Sequence, residues 1–153
     1  MIEIESGPER VLIVGVETGD YTAEKFDELM QEMRSLTQTA KGQVVQVIRQ
    51  KLDHLDHRTA VGTGKLEEIK ACLELEEIDL VIFFNALSPS MNRNLEEALS
   101  VRVIDRIQLI LAIFAMRAKS REGKLQVSLA QYEYLLPRMT GSNKHLSRLA
   151  GGI

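Results

Sequence analysis

The sequence predicts an α/β fold: a four-stranded, mostly parallel sheet flanked by helices, with a projecting antiparallel two-helix hairpin. Three observations carry this. Four short apolar runs, VLIVGV (11–16), VVQVI (44–48), DLVIFF (79–84) and VRVI (101–104), alternate with segments of helical periodicity. Every interval between runs is long enough for a crossover helix, which parallel pairing requires. After the last run come two further amphipathic segments separated only by a short turn.

The first run is continuous, as expected of a strand buried on both faces. Thr22 or Asp20 is placed to cap a helix over 23–39, in which Phe26, Leu29, Met30, Met33 and Leu36 recur at helical spacing. Gly42 stops it. Residues 44–48 form the second strand, and the strand–helix–strand unit closes as a right-handed crossover. Asp53-His54-Leu55-Asp56-His57 collects metal-binding residue types but lacks a further ligand at zinc spacing; it reads as a solvated linker, and no metal site is expected. A helix over 65–77, apolar at Leu66, Ile69 and Leu73, leads to the third strand at 79–84. Ser88-Pro89 opens the next helix, 89–99, with Ser88 as cap and Pro89 where its missing N–H costs nothing. The strand at 101–104 completes a sheet of expected order 2-1-3-4, with helices on both faces.

From Arg106 a strongly apolar helix is expected to run to Ser120, turn at Arg121-Glu122-Gly123, and resume at Lys124 towards Leu136, where Pro137 ends it. Ile107, Ile110, Leu111, Phe114 and Ala118 fall on one stripe, and Leu125, Leu129, Tyr132, Leu136 and Met139 on another. The two stripes are expected to form the seam of the hairpin. The chain thus divides into an α/β part (1–105), a hairpin (106–140) and the start of a linker (141–153).

Length and composition suit one globular domain with a modest appendage. The longest apolar run, 107–116, is far short of the roughly 20 residues that span a bilayer, so no membrane span is expected. The acidic start MIEIESGPER is unlike a secretory signal, and the single Cys72 excludes an internal disulfide; a cytoplasmic protein is expected. The formal net charge of −3 conceals a division. Residues 1–100 hold 10 Lys and Arg against 19 Asp and Glu, whereas 101–153 hold 9 against 3. Such asymmetry points to an acidic partner, often nucleic acid.

Two candidate sites follow. At the hairpin turn Arg117, Lys119, Arg121 and Lys124 lie within eight residues, with Ser120 between them and only Glu122 opposing; Arg138, Lys144, His145 and Arg148 continue the positive charge. Such a turn is either a solvated end of a structural hairpin or a probe for phosphates. Gly62-Thr63-Gly64-Lys65 opens a helix and offers bare N–H groups with a lysine, as an anion or nucleotide site does. It is not a P-loop, because the upstream glycine is missing and Leu66 stands where Ser or Thr must reach magnesium. No catalytic residue is identifiable: no general base or magnesium ligand accompanies these groups.

The strings VGTGKLEEI, LSPSMNRNLEEAL, VIDR, IFAMRAKSREGKLQVSLAQ, YLLPRMTG and HLSRLAGGI, in order from Gly62 to Ile153, resemble the amino-terminal domain of the HflX family of ribosome-associated GTPases. The chain departs from that family's strings at Met91, Ile107, Ala112, Met116 and Lys144. The resemblance implies an α/β subdomain with a projecting pair of long helices that docks on the large ribosomal subunit. The turn residues Arg117, Lys119, Ser120, Arg121, Glu122 and Lys124 would then face the rRNA of the peptidyl-transferase region, joined by Arg138. It also implies a role in ribosome dissociation or rescue under stress. A GTPase domain with GTP and magnesium is expected after Ile153, leaving no cofactor within this chain. ATP binding through Gly62, Gly64 and Lys65 is the alternative that the resemblance leaves open.

Overall fold

A computed structural model describes residues 7–139. Its elements are β1 (Arg10–Glu17), α1 (Ala23–Thr39), β2 (Gln43–Lys51), α2 (Thr63–Leu75), β3 (Leu80–Phe83), α3 (Pro89–Leu99), β4 (Arg102–Asp105), α4 (Arg106–Arg117) and α5 (Arg121–Leu135), closed by a 3₁₀ turn at Leu136–Arg138. All strand pairs are parallel and the order is β2-β1-β3-β4, as the alternation of runs predicts.

β1 and β3 are buried along both faces because helices cover each side. Alternation along β1 sends Leu12, Val14 and Val16 to one face, where they pack with Val81, Phe83, Val103 and with Ile69 of α2 and Leu95 of α3. Val11 and Ile13 face the other way, against Phe26, Met30 and Met33 of α1 and Leu109 and Ile113 of α4. Gly15 allows α1 its close approach: a Cβ there would meet Met30 Sδ at 2.5 Å. Arg106 of α4 pairs with Glu32 of α1 at 2.7 Å, tying the two helices on that face together.

Caps set the helix starts. Thr22 rather than Asp20 accepts from Lys25 N (3.1 Å), and Ser88 accepts from Met91 N (3.2 Å). Asp105 and Gln108 form a reciprocal capping box at the start of α4. The differences from expectation lie at ends. β2 runs further on both sides, and α2 begins and finishes two residues early, with Glu77 in the left-handed region (φ 53°) reversing the chain. The larger correction concerns the hairpin: α4 stops at Arg117, and Arg121-Glu122-Gly123 is the first turn of α5 rather than the connection. The cause is Ser120, whose hydroxyl accepts from Gly123 N at 2.9 Å and starts the second helix three residues early. The expected linker, 141–153, lies outside the described residues.

Candidate nucleic-acid interface

The connection between α4 and α5 consists of Ala118, Lys119 and Ser120. α4 is fixed on the sheet by Leu109, Ala112 and Ile113, and its last turn delivers Arg117. α5 runs back antiparallel, because Tyr134 near its end donates to Asp105, the cap at the start of α4. Arg117, Lys119, Ser120, Arg121, Glu122 and Lys124 are all exposed. None of the four cations makes an ion pair among the described residues, whereas Lys25, Arg49, Lys65, Lys70 and Arg106 all do. The turn therefore presents four unneutralised positive charges on the end of two helices. Arg117 additionally lies at the carboxyl end of α4, where a cation complements the helix dipole.

Arg138 is placed elsewhere. It sits at the other end of α5, half-buried, with its guanidinium 3.6 Å over the Tyr134 ring. It donates to the carbonyls of Tyr134 (2.8 Å) and Leu87. Its grouping with the turn cations is corrected: the helix between them is about 22 Å long, and Arg138 is committed to internal carbonyls. Lys144, His145 and Arg148 lie outside the described residues.

The hairpin seam also differs from expectation. α4 buries Leu109, Ala112 and Ile113, leaving Ile107 and Phe114 exposed, while α5 buries nothing. The half-buried side of α5 is Gly123, Val127, Ala130 and Tyr134. Leu125, Leu129, Tyr132 and Leu136 all lie about 180° round the helix from it, 48–65% exposed. Met139, the last member of the expected stripe, is buried beyond the 3₁₀ turn. The stripe spacing of four, three and four residues is that of a coiled-coil seam, but it faces outward.

Gly62-Thr63-Gly64-Lys65 lies on the opposite side of the sheet, since α2 packs with the cluster that excludes α4. No side chain caps α2, and nothing stands within 4 Å of a Cβ at Gly64. However, Gly62 N donates to Gln50 Oε1 (3.0 Å) and Lys65 is paired with Glu68 at 2.9 Å. The crevice where strand order reverses, the usual ligand position in such sheets, is spanned by Asn85, whose amide bonds Val16 N (2.8 Å) and Val16 O (3.0 Å). These residues do not fit a nucleotide with its magnesium. Asp56 in the 53–57 loop accepts from Arg58 N and Thr59 N, which hold its carboxyl below the ordinary value and shape the turn. Among the described residues no group of three His, Cys, Asp or Glu is disposed to hold a metal, and no helix is long and apolar enough to cross a membrane.

Asp105, Tyr134 and Asn85 escaped the sequence reading. Only Asp105 left a signal, as the D-x-x-Q capping pattern after a strand.

The described residues thus form a parallel α/β body carrying a helical hairpin with a basic turn, and the comparisons with known proteins place it among GTPase amino-terminal regions. The family model described as GTP-binding GTPase N-terminal matches residues 27–115, and that described as GTP-binding GTPase Middle Region matches 117–153. The GTPase HflX of Alkalihalophilus pseudofirmus is 50% identical over 95% of this chain and 34% of its own length. GTPase HflX of Caldanaerobacter subterraneus is 41% identical over 100% and 35%, and that of Escherichia coli 43% over 87% and 31%. Among solved structures, SsGBP in complex with GDP superposes with a TM-score of 0.69 at 26% identity, covering 91% of this chain and 39% of that one. A GTP-binding protein from Sulfolobus solfataricus with GDP gives 0.65 at 27% identity, over 92% and 40%. The chain belongs to the HflX family of GTP-binding proteins and corresponds to its amino-terminal region. It spans about a third of the length of the curated relatives it matches.

Proposed function

We propose that this chain is the ribosome-binding region of an HflX-type GTPase, with the α4–α5 turn directed at large-subunit rRNA near the peptidyl-transferase region. Its role is in dissociating or rescuing ribosomes under stress, in the cytoplasm. The observation that supports this reading is the set of four exposed cations, Arg117, Lys119, Arg121 and Lys124, with no ion-pair partner among the described residues. Phosphates are the counterions such a turn suits. GTP and magnesium belong to the part of the longer relatives that this chain does not span.

Co-sedimentation with isolated large subunits tests it. The variant with Arg117, Lys119, Arg121 and Lys124 all changed to Ala keeps the wild-type fold, because exposed unpaired charges contribute little to stability. It loses affinity, and log K falls less steeply with log salt, by about 0.7 to 0.9 per phosphate contact removed. Equal binding by variant and wild type across the salt series sinks the reading.

The outward stripe of Leu125, Leu129, Tyr132 and Leu136 favours a second, compatible role: a contact for the remaining part of the GTPase. A helix with matching apolar spacing from that part would bury it. Titrating the rest of a full-length relative against this chain, with and without Leu129→Lys, checks the contact; undiminished association of the variant removes it.

A further inference from the structure

The end of the hairpin opposite the turn holds a second cluster of polar side chains. Asp105 is fully buried and serves three elements at once. Its carboxylate accepts from Gln108 N (3.1 Å) as the cap of α4 and from Leu87 N (2.9 Å) in the loop before α3. It also accepts from the Tyr134 hydroxyl near the end of α5. Arg138 stacks on Tyr134 and donates to Leu87 O, while Arg93 of α3 donates to Pro137 O at 2.7 Å. Met139 is buried directly after. No residue of α5 is fully buried along its length, so beyond its half-buried side its side-chain hydrogen bonds to the body lie at this last turn.

We propose that Asp105, Tyr134 and Arg138 form a joint that pins α5 to the α/β body and thereby fixes how the two halves of the basic turn are placed. Arg117 travels with α4, which the sheet holds, and Lys119 lies in the connection between the helices. Arg121 and Lys124 travel with α5. Freed at its last turn, α5 can roll about its own axis and tilt about residues 118–120, so the directions in which Arg121 and Lys124 project are no longer fixed against Arg117. Tyr134 and Arg138 are thus positioning residues for an interface they do not touch; this functional half rests on the rRNA-binding reading, and the mechanical half on geometry alone.

The test pairs hydrogen exchange with subunit binding for Tyr134→Phe and, separately, Arg138→Ala. In Tyr134→Phe, amides of 121–135 exchange about 10- to 100-fold faster, the range for loss of a hydrogen bond to a charged group. Amides of 106–117 keep their rate, because Asp105 retains its Leu87 and Gln108 donors. Affinity for large subunits falls while the salt slope stays that of wild type, since the same cations remain. Arg138→Ala follows the same pattern. Unchanged exchange in α5, or acceleration shared equally with α4 and the strands, overturns the joint. Faster α5 exchange with full affinity overturns the positioning role. If exchange behaves as expected but the wild type itself binds no subunits, the rRNA reading fails and the joint stands.

Discussion

Asp105 follows a strand and opens a helix, so its capping role was legible from D-x-x-Q alone. Its third partner was not. Tyr134 is 29 residues away and reaches the carboxylate only because α5 folds back along α4. Burial first, then the hydrogen bond to Asp105, pushes the Tyr134 hydroxyl above its ordinary range, so it remains a donor throughout the neutral and moderately alkaline region. A raised folded-state pKa stabilises the protein below the unfolded value, near 10, and loses that contribution as pH climbs from there towards the folded value. The stability difference between wild type and Tyr134→Phe is therefore constant from about pH 7 to about pH 9 and shrinks above about pH 10; urea denaturation at several pH values measures it. A difference that grows with alkaline pH contradicts the assignment. Ser120→Ala removes the α5 cap and costs about 1 kcal/mol, read from the same denaturation curves. Arg138 shows the limit of reading charge by proximity: one-dimensional spacing placed it with the turn cations, while the 3₁₀ turn at Pro137 directs it to Leu87 O.

At the scale of elements, the body was legible because each strand is a distinct apolar run and each body helix has a polar face. α1 and α3 begin and end where their caps and periodicity place them. α4 defeats the same method, since between Ile107 and Met116 only Gln108 is polar and periodicity cannot select a buried face. The sheet selects it, taking Leu109, Ala112 and Ile113. α5 has a clear apolar stripe, but periodicity reports that a face exists and not what covers it. Substitution separates the two situations. Leu125→Gln, Leu129→Gln and Leu136→Gln each change unfolding free energy by no more than about 0.5 kcal/mol. Leu109→Ala costs about 2–5 kcal/mol. A large loss on polar substitution of the α5 stripe would show that it is covered within this chain.

For the whole molecule, the division of charge acquires a spatial meaning. The acidic residues belong mainly to the α/β body, and four cations of the last third stand at the hairpin turn with no ion pair among the described residues. The glycine-lysine helix start lies across the sheet from that turn, with its lysine paired and the strand-reversal crevice spanned by Asn85. Calorimetric titration of the chain with ATP or GTP is accordingly expected to give no heat at millimolar nucleotide; a saturable signal abolished by Lys65→Ala would reinstate a nucleotide site there. The central claim, that the turn meets large-subunit rRNA, is tested most directly by a cleavage probe carried on the turn itself. Glu122 is exposed and is the one acid there, so Glu122→Cys in a Cys72→Ser background places a tethered hydroxyl-radical source without removing a cation. Leu75→Cys, on a helix across the sheet and 82% exposed, serves as the control. The account predicts strand scission of rRNA around the peptidyl-transferase region from the Glu122 position and a different or absent pattern from Leu75. No cleavage from Glu122 on bound subunits, or the same pattern from both positions, would contradict it.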